Sequence, residues 1–125
     1  MGEIKTFFFD SYAFFELIFG NENYKPYAKD TTIITTRLNL MELHYGMMSK
    51  YGKDFANQLY DEYSTYCVDV DDYVFKKASE LKYSLKQRHV SYIDCVGYVL
   101  AKLRNVPFLT GDKQFQDLDN VEFVE

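Results

Sequence analysis

The 125 residues amount to one domain's worth of chain and leave no room for a second core. Hydrophobic residues make up 47% and aromatics 18%, with 11 Phe, 12 Tyr and no Trp, which excludes a disordered or low-complexity chain. The formal net charge of −5 argues against a purely electrostatic binder of nucleic acid, because phosphate recognition ordinarily leaves a basic footprint.

Thr6-Phe7-Phe8-Phe9 reads as a buried strand, followed by a helix from about Ser11 to Ile18. Phe7 to Phe19 is strongly apolar, but it holds Asp10 and Glu16 and is too short to span a bilayer. Gly20 to Asp30, with Pro26, reads as a loop with room for one helical turn. The β-branched Thr32-Ile33-Ile34-Thr35-Thr36 is the second strand. A helix from Leu38 to about Tyr51 follows, stopped by Gly52. Lys53 to Tyr66 places Phe55, Leu59, Tyr63 and Tyr66 at helical spacing. Cys67-Val68-Asp69-Val70 is a short third strand, and Asp71 and Asp72 suit the first turn of a helix running to about Arg88. Ser91 to Arg104 is a further helix, Phe108-Leu109-Thr110 the fourth strand and Val121-Glu122-Phe123-Val124 the fifth. This alternation predicts an α/β fold in three αβα layers, with a mainly parallel five-stranded sheet.

Cys67 and Cys95 are isolated and lack metal-ligand spacing. With no secretory leader, they read as reduced thiols of a soluble, cytoplasmic protein. Phe55, Leu59, Tyr60, Tyr63 and Tyr66 have two readings, ordinary core or an interface with a second subunit.

Four acids interrupt apolar surroundings. Asp10 ends the first strand, and Asp112 follows the fourth in Thr110-Gly111-Asp112. Asp94 lies on a helix that is apolar almost all round and therefore buried on most sides. Glu42 shares a narrow polar or small face with Asn39 and Gly46, between two apolar stripes. One stripe is Leu38, Met41, Tyr45 and Met48; the other is Leu40, Leu43 and Met47. Singly, each acid has a structural explanation: Asp10 and Asp112 as helix N-caps, Ser91 with Asp94 as a capping box, Glu42 as a solvated charge. Asp61, Asp69, Asp71, Asp72, Asp117 and Asp119 read as solvated charges or turn residues.

Together the four read differently. In an open parallel sheet, ligands bind beyond the carboxyl ends of the strands, where the strand order reverses. If strands one and four are neighbours there, Asp10 and Asp112 face one crevice, and the helices after strands two and three bring Glu42 and Asp94 to the same edge. Two such anions roughly 4 Å apart repel by about 4 kcal/mol at an effective dielectric near 20. A site of this kind needs Mg²⁺ or Mn²⁺, or it must protonate; oxygen ligands without His or Cys favour hard cations over zinc. A bound cation also answers the objection from net charge, because it reverses the local sign.

On these residues the chain resembles the PIN-domain nucleases, especially the VapC-type toxins of toxin–antitoxin pairs. The resemblance covers nearly the whole length, so that residues 1–125 form a single PIN-like domain. Asp10-Ser11 after a hydrophobic strand is similar to the family's opening Asp-Ser/Thr. Asn39-Leu40-Met41-Glu42-Leu43, with Gly46 beyond, is similar to its Glu-bearing helix. Ser91-Tyr92-Ile93-Asp94 is similar to its third acid and Thr110-Gly111-Asp112-Lys113-Gln114-Phe115 to its fourth-acid turn. Order and spacing carry the match more than any single motif.

The resemblance implies strand order 3-2-1-4-5, one or two Mg²⁺ or Mn²⁺ ions and endonucleolytic cleavage of RNA. It also implies a homodimer and, for toxins, a small antitoxin partner. Many relatives carry a further acidic or His residue two positions after the fourth acid, where this chain has Gln114, which puts a second metal position in question. In the mechanism this suggests, Asp10, Asp94 and Asp112 hold the metal directly or through water. Glu42 completes the shell or orients the attacking water, with Ser11, Asn39 and Thr110 in support. Lys82, Lys86, Arg88, Lys102, Arg104 and Lys113 are candidate substrate contacts.

Two rival readings stay open at this point. A phosphorylation-dependent receiver also gathers carboxylates at a parallel sheet edge. It needs an acidic pair after the first strand, however, and Asp10 is followed by Ser11 and Tyr12. A non-catalytic binding module that kept the fold and the acids is compatible with every residue.

Overall fold

In the computed structural model, which describes residues 4–125, three consecutive phenylalanines of β1 (Lys5–Phe9) set the layers. Side chains alternate across a strand. Phe7 and Phe9 therefore enter one core, with α1 (Ser11–Ile18), α2 (Arg37–Tyr51) and α3 (Lys53–Tyr63), through residues such as Phe14, Leu40, Leu43 and Leu59. Phe8 enters the other, with α4 (Asp72–Ser84) and α5 (Tyr92–Leu103), through Val74, Ala78, Val96 and Leu100. The neighbouring strands are sorted in the same way, Ile33 and Leu109 to the first face, Ile34 and Phe108 to the second.

The sheet is wholly parallel, in the order β2-β1-β3-β4, where β2 is Thr31–Ile34, β3 Phe108–Thr110 and β4 Val121–Phe123. Phe8 is central: it lies opposite Ile34 on one side and Phe108 on the other. α5 crosses close beneath it because residue 97 is glycine. A Cβ there would sit 2.8 Å from Phe8 Cε1 and 3.2 Å from Phe108 Cε1.

The predicted five strands become four. Cys67–Val70 forms no strand, only a single parallel bridge from Cys67 to Thr35, with the Val68 N–H donating to Thr35 O at 2.9 Å. It stands at the outer side of β2, where order 3-2-1-4-5 puts it. The pairing cannot grow because its partner leaves the sheet: Thr36 is already the N-cap of α2. On the other side Ser64–Tyr66 is a 3-10 turn, so the ladder has one rung. Val68 and Val70 still pack on the second core, and Asp69 between them is exposed, as the alternation requires.

The helices begin and end close to where the sequence places them. Asp10, Thr36, Asp71 and Ser91 are side-chain N-caps of α1, α2, α4 and α5. Gly52 ends α2 and starts α3 at φ +93°, a left-handed conformation that favours glycine. α4 stops at Ser84 rather than near Arg88, and the predicted loop holds a 3-10 segment, Glu22–Ala28. Of the five residues with two readings, Leu59 is buried and Tyr60 and Tyr63 pack on the first core, as the ordinary-core reading expects; Tyr66 stacks on Tyr63, and Phe55 is exposed. Among the described residues no helix is long and apolar enough to cross a membrane, and both cysteines are free thiols.

Candidate active site

β1 and β3 are neighbours, and the chain order reverses between them, with β2 on one flank and β4 on the other. Asp10 is the first residue past β1. Asp112 lies two residues past β3. Both therefore emerge at the same sheet edge, where Glu42 on α2 and Asp94 in the first turn of α5 join them. All four carboxylate residues line one cleft of about 620 Å³, together with Ser11. A slightly larger cleft, about 680 Å³, lies between α2 and α3 beside Arg37, His44 and Asp61, without any of the four.

The capping explanations hold as well. Asp10 Oδ1 accepts from the Ala13 N–H at 2.9 Å, Asp94 Oδ2 from the Ser91 N–H at 3.1 Å and Asp112 Oδ1 from the Gln114 N–H at 2.9 Å. Each aspartate thus spends one oxygen on its own helix or turn and keeps the other outside that bond. Thr110 Oγ1 accepts from the Asp112 N–H at 3.0 Å and so shapes the turn.

Glu42 is held by a buried chain of donors. Thr36 Oγ1 donates to Asn39 Oδ1 at 2.6 Å, Asn39 Nδ2 donates to Ser11 Oγ at 3.2 Å, and Ser11 Oγ donates to Glu42 Oε1 at 2.6 Å. Thr36, Asn39 and Ser11 are all buried. Buried polar groups need partners, and here the series ends on the carboxylate.

The electrostatics are those of crowded, partly desolvated anions. Asp10 is only 2% exposed. Burial pushes its pKa up to about 8, with repulsion from Asp94 and Asp112 adding to the rise; the Thr110 hydroxyl and the Ala13 N–H oppose it. Glu42 is raised by burial and by the charge of Asp94, against the Ser11 hydrogen bond. Asp94 is raised by burial and by Asp112, against the Ser91 hydrogen bonds and the nearby Lys82 ammonium. Among the described residues no three His, Cys, Asp or Glu side chains close together tightly enough to hold an ion by themselves. The caps explain that spacing, since each aspartate is tied back to its own element.

A family model described as the PIN domain matches residues 7–121, nearly the entire chain. The chain belongs to the PIN domain family. Solved structures of the same fold include a toxin of Mycobacterium tuberculosis described as cleaving the sarcin–ricin loop, at TM-score 0.76 and 18% identity, covering 95% of this chain and 97% of that one. A toxin–antitoxin complex from Klebsiella pneumoniae is similar at TM-score 0.74 and 16% identity, covering 93% and 95% of the two chains. DNA-bound VapBC from Salmonella typhimurium is similar at TM-score 0.74 and 16% identity, covering 97% of each. No curated protein sequence matches this PIN domain.

The walls of the cleft are the part that sequence reasoning missed. Of the two apolar stripes on α2, Leu40, Leu43 and Met47 are buried, whereas Met41 and Tyr45 are 55% and 70% exposed and line the cleft beside Glu42. Tyr12 and Phe15 line it from α1. Two glycines of this PIN domain make room for those rings: a Cβ at Gly46 would lie 2.5 Å from Phe15 Cζ, and one at Gly111 would lie 2.4 Å from Tyr12 Cε1. The glycine beside Asp112 and the glycine one turn after Glu42 were the available signals.

The predicted substrate contacts divide. Lys82, Lys86 and Arg88 line a common groove next to the Asp94 end of α5. Lys102 and Arg104 sit at the opposite end of α5, where Lys102 pairs with Asp119 at 3.1 Å. Gln114 is a strut. Its Oε1 accepts from the His89 N–H at 3.3 Å and its backbone carbonyl from Arg88 at 2.8 Å, fastening the loop before α5 to the Asp112 turn.

Proposed function

We propose that this PIN domain is a metal-dependent endoribonuclease, the toxin of a toxin–antitoxin pair, with Asp10, Glu42, Asp94 and Asp112 as its site residues and RNA as its substrate. The single observation that carries the reading is the convergence of four carboxylates, three of them with raised proton affinity, on one cleft at the reversal of the sheet order. The PIN family match and the fold shared with solved toxins support the toxin assignment and a small antitoxin as partner; a homodimer is proposed from the family resemblance alone.

The donor set suits Mg²⁺ or Mn²⁺. It is all oxygen, the crowding is of a kind a cation relieves, and hard octahedral ions keep several waters while taking one or two carboxylates directly. Asp10, Asp94 and Asp112 would hold the ion, directly or through water. Once bound, a divalent cation acidifies water, polarises the phosphate and stabilises the leaving oxygen. Glu42, fixed by Ser11 and Asn39, orients the attacking water. Gln114 brings no charge to a second metal position, and its Oε1 accepts from the His89 N–H.

The deciding experiment is cleavage of RNA with Mn²⁺ and with excess chelator, for the wild type and for Asp10→Asn and Asp94→Asn. Cleavage that needs the cation and is lost in both variants is the expected result. A wild type that binds Mn²⁺ yet cuts no RNA would leave the non-catalytic binding module as the better description.

A further inference from the structure

Four cations form salt bridges among the described residues: Lys25 with Glu22, Lys77 with Glu80, Arg88 with Asp117 and Lys102 with Asp119. Among the described residues Lys82 and Lys86 form no salt bridge. Each instead lies against a tyrosine ring, Lys82 Nζ 4.9 Å from the centroid of Tyr92 and Lys86 Nζ 4.8 Å from that of Tyr83. Those rings are 69% and 72% exposed, a costly display of aromatic surface if nothing covers it.

The four side chains share a groove of about 300 Å³ with Ser79 and Arg88. Ser79, Lys82, Tyr83 and Lys86 follow one another at helical spacing along α4 and just past its end. Tyr92 faces them from the first turn of α5. No acid lines this groove, in a chain of net charge −5. Two links tie it to the carboxylate cleft. Tyr92 is two residues before Asp94, and the Lys82 ammonium donates to Val90 O at 2.6 Å, in the loop that leads into α5. Lysines near a helix C-terminus are explained by the helix dipole alone. Exposed tyrosines interleaved with them are not.

We propose that this groove is the binding tract for a single-stranded stretch of RNA leading to the scissile phosphate. Lys82 and Lys86 take backbone phosphates, and Tyr83 and Tyr92 stack on unpaired bases. Interleaved cations and aromatic platforms recognise single strands without reading sequence, and a duplex hides the base faces that such platforms need. The tract therefore selects unpaired RNA, and the direction of the strand rests on the nuclease reading of the cleft.

The test is binding of a fluorescently labelled single-stranded RNA, followed by anisotropy with the full chain in excess chelator, so that no cleavage is required. Tyr83→Ala and Tyr92→Ala are each expected to weaken binding by about tenfold, and the corresponding Phe variants to restore it. Lys82→Gln with Lys86→Gln is expected to lower the slope of log affinity against log salt by about 1.4, the value for two phosphate contacts on a single strand. Lys25→Gln, in the segment between α1 and β2, should leave both unchanged. Wild-type binding of a hairpin duplex as tightly as of the single strand overturns the proposal. So does unchanged binding in the Ala variants, or an oligoglutamate peptide that competes at equal concentration and loses affinity in the same variants, since that outcome identifies an acidic protein segment as the occupant. Groove-dependent RNA binding without Mn²⁺-dependent cleavage would refute the nuclease and keep the tract; cleavage with unaffected tyrosine variants would do the reverse.

Discussion

The Ser11 hydroxyl donates to Glu42 Oε1 across 2.6 Å while accepting from Asn39 Nδ2 at 3.2 Å, so a residue of α1 supports a carboxylate of α2. Replacing Ser11 with Ala leaves the Asn39 amide and one Glu42 oxygen unsatisfied, at a cost of about 1–3 kcal/mol. It also removes the hydrogen bond that favours the charged form of Glu42. The acid limb of a pH–rate profile is therefore expected to move to higher pH in Ser11→Ala. An unmoved profile would show that Glu42 does not need its buried support.

Asp10→Asn separates structure from chemistry. Asparagine caps a helix about as well as aspartate, so the bond from the Ala13 N–H is kept. Because asparagine removes the cost of protonating or charging a buried carboxyl, the melting temperature in chelator is expected to be equal or higher, while stabilisation by Mn²⁺ and RNA cleavage are lost. A clear drop in metal-free stability would count against that cost.

The same cost sets a pH dependence. The pKa of Asp10 is raised from an ordinary 3.8 to about 8, so its protonated form is favoured in the folded state. That contribution is complete below the unfolded value and disappears as pH rises through the folded one. Glu42 and Asp94 act in the same direction. Asp117 and Asp119 are shifted down, but they are exposed and act only at more acid pH. Metal-free protein is thus expected to lose stability as pH rises from about 4 to about 8, on the order of 1 kcal/mol per pH unit for one released proton. Chemical denaturation at several pH values, with chelator and with Mn²⁺, measures it. Mn²⁺ should flatten the slope.

Gly97→Ala tests the fit of α5 against the sheet. Alanine is the better helix former by about 1 kcal/mol. Its methyl would lie 2.8 Å from Phe8 Cε1, however, and overpacking of this kind costs about 1–3 kcal/mol. Net destabilisation in urea is expected, and a more stable variant would show that the two rings have slack.

The four acids were legible because each broke an apolar run, and the caps of α1 and α5 were legible from Asp10 and Ser91, whereas Asp71, read as part of the first turn of α4, is its N-cap. Other features depend on distant parts of the chain. Met41 and Tyr45 repeat at the same spacing as Leu43 and Met47, and nothing local says which stripe the sheet will cover. Cys67–Val70 has the composition of a strand, yet its length is limited by Thr36, which takes its partner out of the sheet. Gln114 was read by what it lacks as a ligand, whereas its role comes from His89, 25 residues away in sequence.

Strands usually encode their alignment by turning polar residues outward, and Thr6-Phe7-Phe8-Phe9 has no such code, being apolar on both sides. Sliding it by one position would trade one hydrophobic layer for the other at little cost in polarity. The hollow over Gly97 admits a ring at one position along β1, and Asp10, with its carboxylate bound to the start of α1, acts as an end-stop. The alignment of the central strand is therefore kept by a missing side chain beneath it and a charged one at its tip.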